Sequence, residues 1–206
     1  MPQAERAPRK AVKKTPFEIV AIAASAGGLT ALTIVLGALP ESFSATIVAV
    51  QHLDPRHRSL MAEIIGRRSR LPVREAVAGA HVRAGQVYLA PPDHHMLINS
   101  DGSVSLTHTE LVNFVRPSAD LLFESVAASY GKHAIAVVLT GTGHDGSIGV
   151  TAIKQRGGTV IAQDEASSDF FGMPSAAIRA GVVDFILPLD EIAAALQSLV
   201  GGEAPD

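Results

Sequence analysis

The sequence predicts an α/β fold: a doubly wound, mostly parallel sheet with helices on both faces and a small antiparallel hairpin insert. Three observations carry this expectation. Short, continuously apolar runs alternate with helical patterns, the mark of parallel strands joined by crossover helices. Apolar residues make up 47% of the chain, yet aromatics are only 4% and Trp is absent. The core must therefore be built from Ala, Val, Ile and Leu, which suits strands buried on both faces. A middle stretch breaks the alternation with short strands around an Asp-Gly turn.

Residues Met1 to Pro16 are rich in Ala, Pro, Lys and Arg and read as a flexible basic tail. The remainder, 17–206, is read as one domain, long enough for a proper core. Strands are expected near Glu18–Ala23, Thr46–Val50, Ala134–Leu139, Thr159–Ala162 and Asp184–Leu187. Helices are expected near Leu29–Leu39, Ser59–Arg68, Ala119–Tyr130, Ser147–Gln155 and Glu191–Leu199, the last with Asp190 as its N-cap. Gln86–Ala90, Met96–Asn99 and Val104–Thr107 are expected to form the antiparallel insert, with Asp101-Gly102 at a hairpin turn.

Composition excludes several function classes. The formal net charge of −3 offers no basic field for nucleic acid. Cysteine is absent, which removes disulfides and thiolate chemistry. No apolar run reaches the length of a membrane span. The basic stretch Arg6 to Lys14 lacks a following signal core. A soluble, cytoplasmic protein is expected.

Open sheets of this kind bind ligands beyond the C-terminal ends of their strands, so residues just after strands carry the functional signal. Ser25 follows the first strand, in Ile19-Val20-Ala21-Ile22-Ala23-Ala24-Ser25-Ala26-Gly27-Gly28. A serine on a tight strand-to-helix turn exposes its hydroxyl, and the first N–H groups of the helix have no internal partners. One stretch thus supplies a nucleophile and oxyanion donors. It resembles the G-x-S-x-G elbow, with Ala23 in place of the first Gly. Gln51-His52 follows the second strand, and Thr140-Gly141-Thr142-Gly143-His144-Asp145-Gly146 follows the strand Ala134–Leu139.

A serine hydroxyl needs a base, and the base needs a fixed tautomer. His52 is the candidate base and Asp145 the candidate orienter. Structural readings compete: Ser25 as a helix cap, His52 as a hydrogen-bonded strand-end histidine, Asp145 as the cap of the helix after Gly146. Other function classes also compete. Ala23-x-Ser25-x-x-Gly28 with Asp54 mimics a nucleotide-binding turn, but two of its three glycines are missing. His52, Asp54 and His57, or Asp93, His94 and His95, would have to supply a metal site. A non-enzymatic regulator keeping the fold is the remaining alternative. Arg116, Asp120 and Met173 are equally well explained by capping, salt bridging and packing.

Many short motifs in one order resemble the catalytic domain of the chemotaxis receptor methylesterase, the CheB family, from about Ile19 to Leu199. They are Ile22-Ala23-Ala24-Ser25-Ala26-Gly27-Gly28, Gln51-His52, Tyr88-Leu89-Ala90-Pro91-Pro92-Asp93, His95-Met96 and Arg116-Pro117-Ser118-Ala119-Asp120. The series continues with Leu139-Thr140-Gly141-Thr142-Gly143-His144-Asp145-Gly146, Asp164-Glu165-Ala166-Ser167 and Phe171-Gly172-Met173-Pro174. The resemblance implies a serine hydrolase that removes methyl groups from γ-glutamyl methyl esters in the cytoplasmic helices of chemoreceptors and deamidates particular receptor glutamines. It implies Ser25 as nucleophile, His52 as base, Asp145 as orienter, and the backbone N–H groups of Ala26 and Thr142 as the oxyanion hole.

Expected partners are methylated chemoreceptor helices and other chemosensory proteins, with no nucleic acid and no membrane insertion. No cofactor and no metal are expected. Two departures stand out. Ala23 occupies a position that is usually Gly in the family, where a methyl group crowds a tight turn. Only the basic tail precedes the first strand, so control by a receiver domain in the same chain is not expected.

Overall fold

The computed structural model describes residues 17–52 and 59–202. The basic tail, Asp54 and His57 lie outside the described residues. In chain order the elements are β1 (Ile19–Ala24), α1 (Gly28–Ala38), β2 (Thr46–Gln51), α2 (Met61–Gly66), β3 (Val73–Glu75), β4 (Val87–Leu89), β5 (His95–Ile98) and β6 (Val104–Thr107). They continue with α3 (Ala119–Tyr130), β7 (Ala134–Val138), α4 (Ser147–Gln155), β8 (Thr159–Gln163), α5 (Gly172–Arg179), β9 (Phe185–Leu187) and α6 (Leu189–Gly201).

Among the described residues, seven strands form one parallel sheet in the order β3-β4-β2-β1-β7-β8-β9. The first connection runs from β1 to β2 on one side, while β7 adds on the other. Strand order therefore reverses at β1, and a crevice opens beyond its C-terminal end and those of its neighbours. In register, Ala23 of β1 pairs with Val50 of β2 and Val138 of β7. The loops after these three strands accordingly start at the same height.

Every residue of β1, β2 and β7 is buried. Side chains alternate between two cores, as the two-residue period of a strand requires. Val20, Ile22 and Ala24 join Leu32, Leu36 and Leu196 on one face. Ile19, Ala21 and Ala23 join Leu122, Phe123, Val126 and Val150 on the other. Burying each such large aliphatic or aromatic side chain stabilises the fold by about 1.5–3 kcal/mol.

The insert is smaller than the sequence suggests. Only β5 and β6 form the antiparallel pair, from His95↔Thr107 to Ile98↔Val104. Asp101 Oδ1 accepts the Ser103 N–H at 2.8 Å, which closes the expected turn. β4, placed in the insert from sequence, instead runs parallel to β2 and β3 in the main sheet. Three residues are too few to show a period, and its partner β2 lies far back in the sequence. β3 and α5 have no counterpart among the sequence-based elements. The N-cap of α6 is Pro188, and Asp190 sits in the first helical turn, where its charge favours the positive end of the helix. Among the described residues no helix is long and apolar enough to cross a membrane.

Candidate active site

Ser25 directly follows β1 and is separated from α1 by a two-residue turn. The N-cap of α1 is Gly27, with no side-chain cap bond, so Ser25 does not cap this helix. Gly27 has φ +77°, and a Cβ there would sit 2.7 Å from Asp169 Oδ2. Both the backbone conformation and the space therefore call for glycine. Ala23, in contrast, is a buried strand residue without a positive φ. It lies before the turn, so its methyl group does not crowd it.

The turn is held from three sides. Ser25 donates its N–H to Thr140 O at 3.0 Å. Thr140 Oγ1 donates to Ala26 O at 3.0 Å. Gln51 Nε2 donates to Ser25 O at 2.7 Å and to His52 O at 3.0 Å, tying the serine turn to the end of β2. Gly141 comes so close that a Cβ on it would lie 2.8 Å from Ser25 Cβ. Within the described residues, the N–H groups of Ala26 and Thr142 donate to no protein acceptor. Two free donors thus flank Ser25 from two different loops.

His52 Nε2 lies 2.9 Å from Asp145 Oδ2, with the two side chains 12% and 4% exposed. The carboxylate oxygen only accepts, so Nε2 carries the proton. In the neutral ring Nδ1 is then the basic nitrogen. Ser25, His52, Thr142, Gly143, His144 and Asp145 line one cleft of about 330 Å³, with Asn113, Phe114 and Val115 as a further wall.

Asp145 does not cap the helix that follows it. The N-cap of α4 is Gly146, without a side-chain cap bond. The Asp145 carboxyl instead lies at the N-terminus of α3. Oδ2 accepts the Ala119 N–H at 2.6 Å, while Oδ1 accepts from Ser118 Oγ at 2.9 Å and the Asp120 N–H at 3.3 Å. Burial pushes this carboxyl up. The hydrogen bonds from His52, Ala119 N–H and Ser118, with the attraction of the His52 ring, outweigh burial and hold it below its ordinary value.

Asp120 performs the converse task. Its Oδ1 accepts the N–H groups of Ile148 at 3.0 Å and Gly149 at 2.8 Å, at the start of α4. Its Oδ2 accepts from Asn113 Nδ2 at 3.0 Å. Burial, followed by the proximity of the Asp145 charge, lifts Asp120 above its ordinary value despite the two N–H donors, which lower it.

His94 and His95, which the sequence offers as metal ligands, have other partners. His95 is fully buried. Its Nδ1 accepts the Ser118 N–H at 3.1 Å, and its Nε2 donates to Glu110 O at 3.0 Å. It thereby fixes the residue that caps α3 and bonds Asp145. His94 Nδ1 lies 3.0 Å from Pro92 O. Asp93 pairs with Arg116 at 2.6 Å and His108 at 2.8 Å. Among the described residues, no group of His, Asp and Glu is arranged to hold a metal ion. Met173 is buried beside Gly141, and its N–H donates to Gly141 O at 2.8 Å.

Sequence reasoning brought Ser25, His52 and Asp145 to one edge but missed the polar residues that fix them. Gln51 and Gln163 each end an apolar strand. Gln163, fully buried, accepts the Thr140 N–H at 2.8 Å. A buried amide at the C-terminal end of an otherwise apolar strand must find partners in the adjacent loops. That was the available signal.

Comparison with known proteins identifies the family of the chain. The CheB methylesterase family model matches residues 20–196. A protein-glutamate methylesterase/protein-glutamine glutaminase of Moorella thermoacetica is 44% identical over 194 residues, covering 92% of this chain and 46% of that protein. One from Cupriavidus metallidurans is 45% identical over 197 residues, covering 95% of this chain and 58% of that protein. The chain thus spans about half the length of these relatives. The crystal structure of the Thermotoga maritima CheB methylesterase catalytic domain superposes with a TM-score of 0.86 at 39% identity. That match covers 89% of this chain and 99% of the other. The family model, the sequence relatives and the superposed fold converge, and the chain belongs to the CheB methylesterase family.

Proposed function

We propose that this chain is a serine hydrolase that cleaves γ-glutamyl methyl esters on chemoreceptor proteins and, at the same site, releases ammonia from receptor glutamines. Ser25 is the nucleophile, His52 the general base and Asp145 its orienter. The backbone N–H groups of Ala26 and Thr142 hold the oxyanion. The observation that carries this reading is the His52–Asp145 pair, which leaves Nδ1 as the basic ring nitrogen in a cleft also lined by Ser25.

Chemistry follows from these assignments. Nδ1 takes the Ser25 proton as Oγ attacks the ester carbonyl. Negative charge moves to the carbonyl oxygen, where two otherwise unused N–H donors meet it. Each donor of this kind lowers the barrier by about 2.7–4 kcal/mol. As the tetrahedral intermediate collapses and its bond to the methoxy oxygen breaks, imidazolium protonates that oxygen and methanol leaves. Water attacks the acyl-enzyme with the same nitrogen as base, and the product is a glutamate on the receptor with Ser25 regenerated. An amide substrate follows the same path with ammonia leaving. The substrate helices, and hence this chain, belong in the cytoplasm.

Methanol release from methylated receptor membranes tests the proposal, together with labelling by a fluorophosphonate probe. The expected result is release by the wild type, stoichiometric label at Ser25, and neither in Ser25→Ala. Undiminished release by a folded Ser25→Ala protein would falsify the assignment.

A further inference from the structure

We propose that Phe114 is a specificity-determining contact for the protein segment that carries the ester, an inference that rests on the hydrolase reading above. Val112 and Val115 exchange two backbone hydrogen bonds, at 3.2 and 3.0 Å, and enclose a two-residue turn. Its central residues, Asn113 and Phe114, have φ of +51° and +64°, as a type I′ turn requires. Asn tolerates this region, and the second place favours Gly. A bulky aromatic there is strained.

Among the described residues the fold gains nothing visible in return. Phe114 is 93% exposed, so its ring packs against no core. Leu111 on the same loop is 55% exposed. Yet the turn is firmly anchored. Asn113 donates to Asp120 Oδ2 at 3.0 Å, and Arg116 Nε and Nη2 donate to Asp93 Oδ1 at 2.9 and 2.6 Å. A strained, solvated side chain on a fixed base has its use outside the fold.

Position indicates that use. Phe114 lines the cleft that Ser25 and His52 also line. When the esterified side chain enters the cleft, the backbone bearing it stays outside at the rim. Residues flanking the esterified position then lie against the cleft wall that Phe114 forms. The occupant is an apolar side chain of the substrate protein near that position, since an aromatic ring offers area and no charge. A small ester does not reach beyond the cleft and makes no such contact.

The test compares wild type, Phe114→Ala and Phe114→Gly, each as the full chain. Methanol release is measured against concentration of methylated receptor membranes, alongside the fluorophosphonate labelling rate of Ser25 and the unfolding midpoint. Expected for Phe114→Ala is a rise in KM of about tenfold, the scale of losing an aromatic anchor, with kcat and labelling within about twofold of wild type. Phe114→Gly should show the same KM rise while its unfolding midpoint holds or increases, because strain is relieved. Stability and substrate use then move in opposite directions, which a structural role does not produce. An unchanged KM in Phe114→Ala, or labelling that falls in step with methanol release, overturns the inference and leaves the hydrolase reading standing. A wild type that neither labels at Ser25 nor releases methanol overturns both.

Discussion

Asp145 and Asp120 exchange helix caps. Asp145, just before α4, accepts N–H groups at the start of α3, while Asp120, in the first turn of α3, accepts those at the start of α4. Two carboxyls thus satisfy orphan donors of each other's helices. The exchange fixes α3 against α4 and leaves Asp145 Oδ2 in reach of His52. The two groups differ in charge preference: burial pushes Asp145 up but its donors and the His52 ring outweigh this and hold it below the ordinary carboxylate value of 3.8, whereas burial and the nearby Asp145 charge raise Asp120 above it despite its two N–H donors.

Asp145→Asn should reduce kcat by about 10⁴-fold, the scale seen when a triad carboxylate becomes an amide and favours the wrong tautomer. It should also destabilise the fold at neutral pH. Because the folded carboxyl of Asp145 is lowered, its contribution is complete above 3.8 and disappears as pH falls through the lower folded value. The stability gap between wild type and Asp145→Asn, read by urea unfolding at several pH values, should therefore shrink only below 3.8. A gap independent of pH across that window contradicts the assignment.

Asp120→Ala should cost about 1–3 kcal/mol, since the buried N–H groups of Ile148 and Gly149 lose their acceptor. Asp120→Asn keeps an oxygen for these donors and should cost less. The raised folded value of Asp120 means that it charges at a cost, which is relieved as pH falls through that value. Wild type should therefore gain on Asp120→Asn as the medium is acidified from neutral, opposite in sign to Asp145. Equal losses in the Ala and Asn variants, measured by urea unfolding, contradict the cap exchange.

Ser25→Ala and His52→Ala should each abolish turnover by up to about 10⁶-fold, and the double variant should be no worse, because members of a triad act as a unit. Single-turnover methanol release measures all three. Losses that add fully in the logarithm of rate contradict a shared proton transfer. Ser25→Ala should leave the unfolding midpoint close to wild type, as Ser25 neither caps α1 nor lies in a packed core.

The sheet was legible in the sequence because β1, β2 and β7 are buried on both faces and read as unbroken apolar runs. β4 was legible as a strand but not as part of the main sheet, since its partner β2 lies far back in the chain, and the short edge strand β3 was not legible at all. Ser25, His52 and Asp145 were legible for a topological reason: each follows a strand that ends at one edge. Which helix Asp145 serves was not legible. The chain neighbour of Asp145 is α4, and only the packing of α3 against α4 directs its oxygens to Ala119 and Ser118. The same holds for His95, whose neighbours Asp93 and His94 mimic a ligand cluster until its ring is seen between Ser118 and Glu110.

Gly141→Ala should impair catalysis through Ser25 rather than through stability alone. A Cβ on Gly141 would meet Met173 Sδ, lie 2.8 Å from Ser25 Cβ and 3.1 Å from Ser25 N. The Met173 side chain is flexible and can yield. Ser25 is less free, because its N–H is bonded to Thr140 O and its carbonyl to Gln51 Nε2. Either Ser25 or the Gly141 backbone must therefore give way, and both movements change the position of Ser25 relative to His52 and to the N–H groups of Ala26 and Thr142. A misplacement of this order costs about 10²-fold, and it should slow fluorophosphonate labelling as much as methanol release. That pattern differs from Phe114→Ala, where labelling is spared. Adding Met173→Ala to Gly141→Ala should restore stability but only part of the labelling rate, since the contact with Ser25 remains. Full recovery of labelling in the double variant would show that the methionine, not the serine, is what Gly141 accommodates.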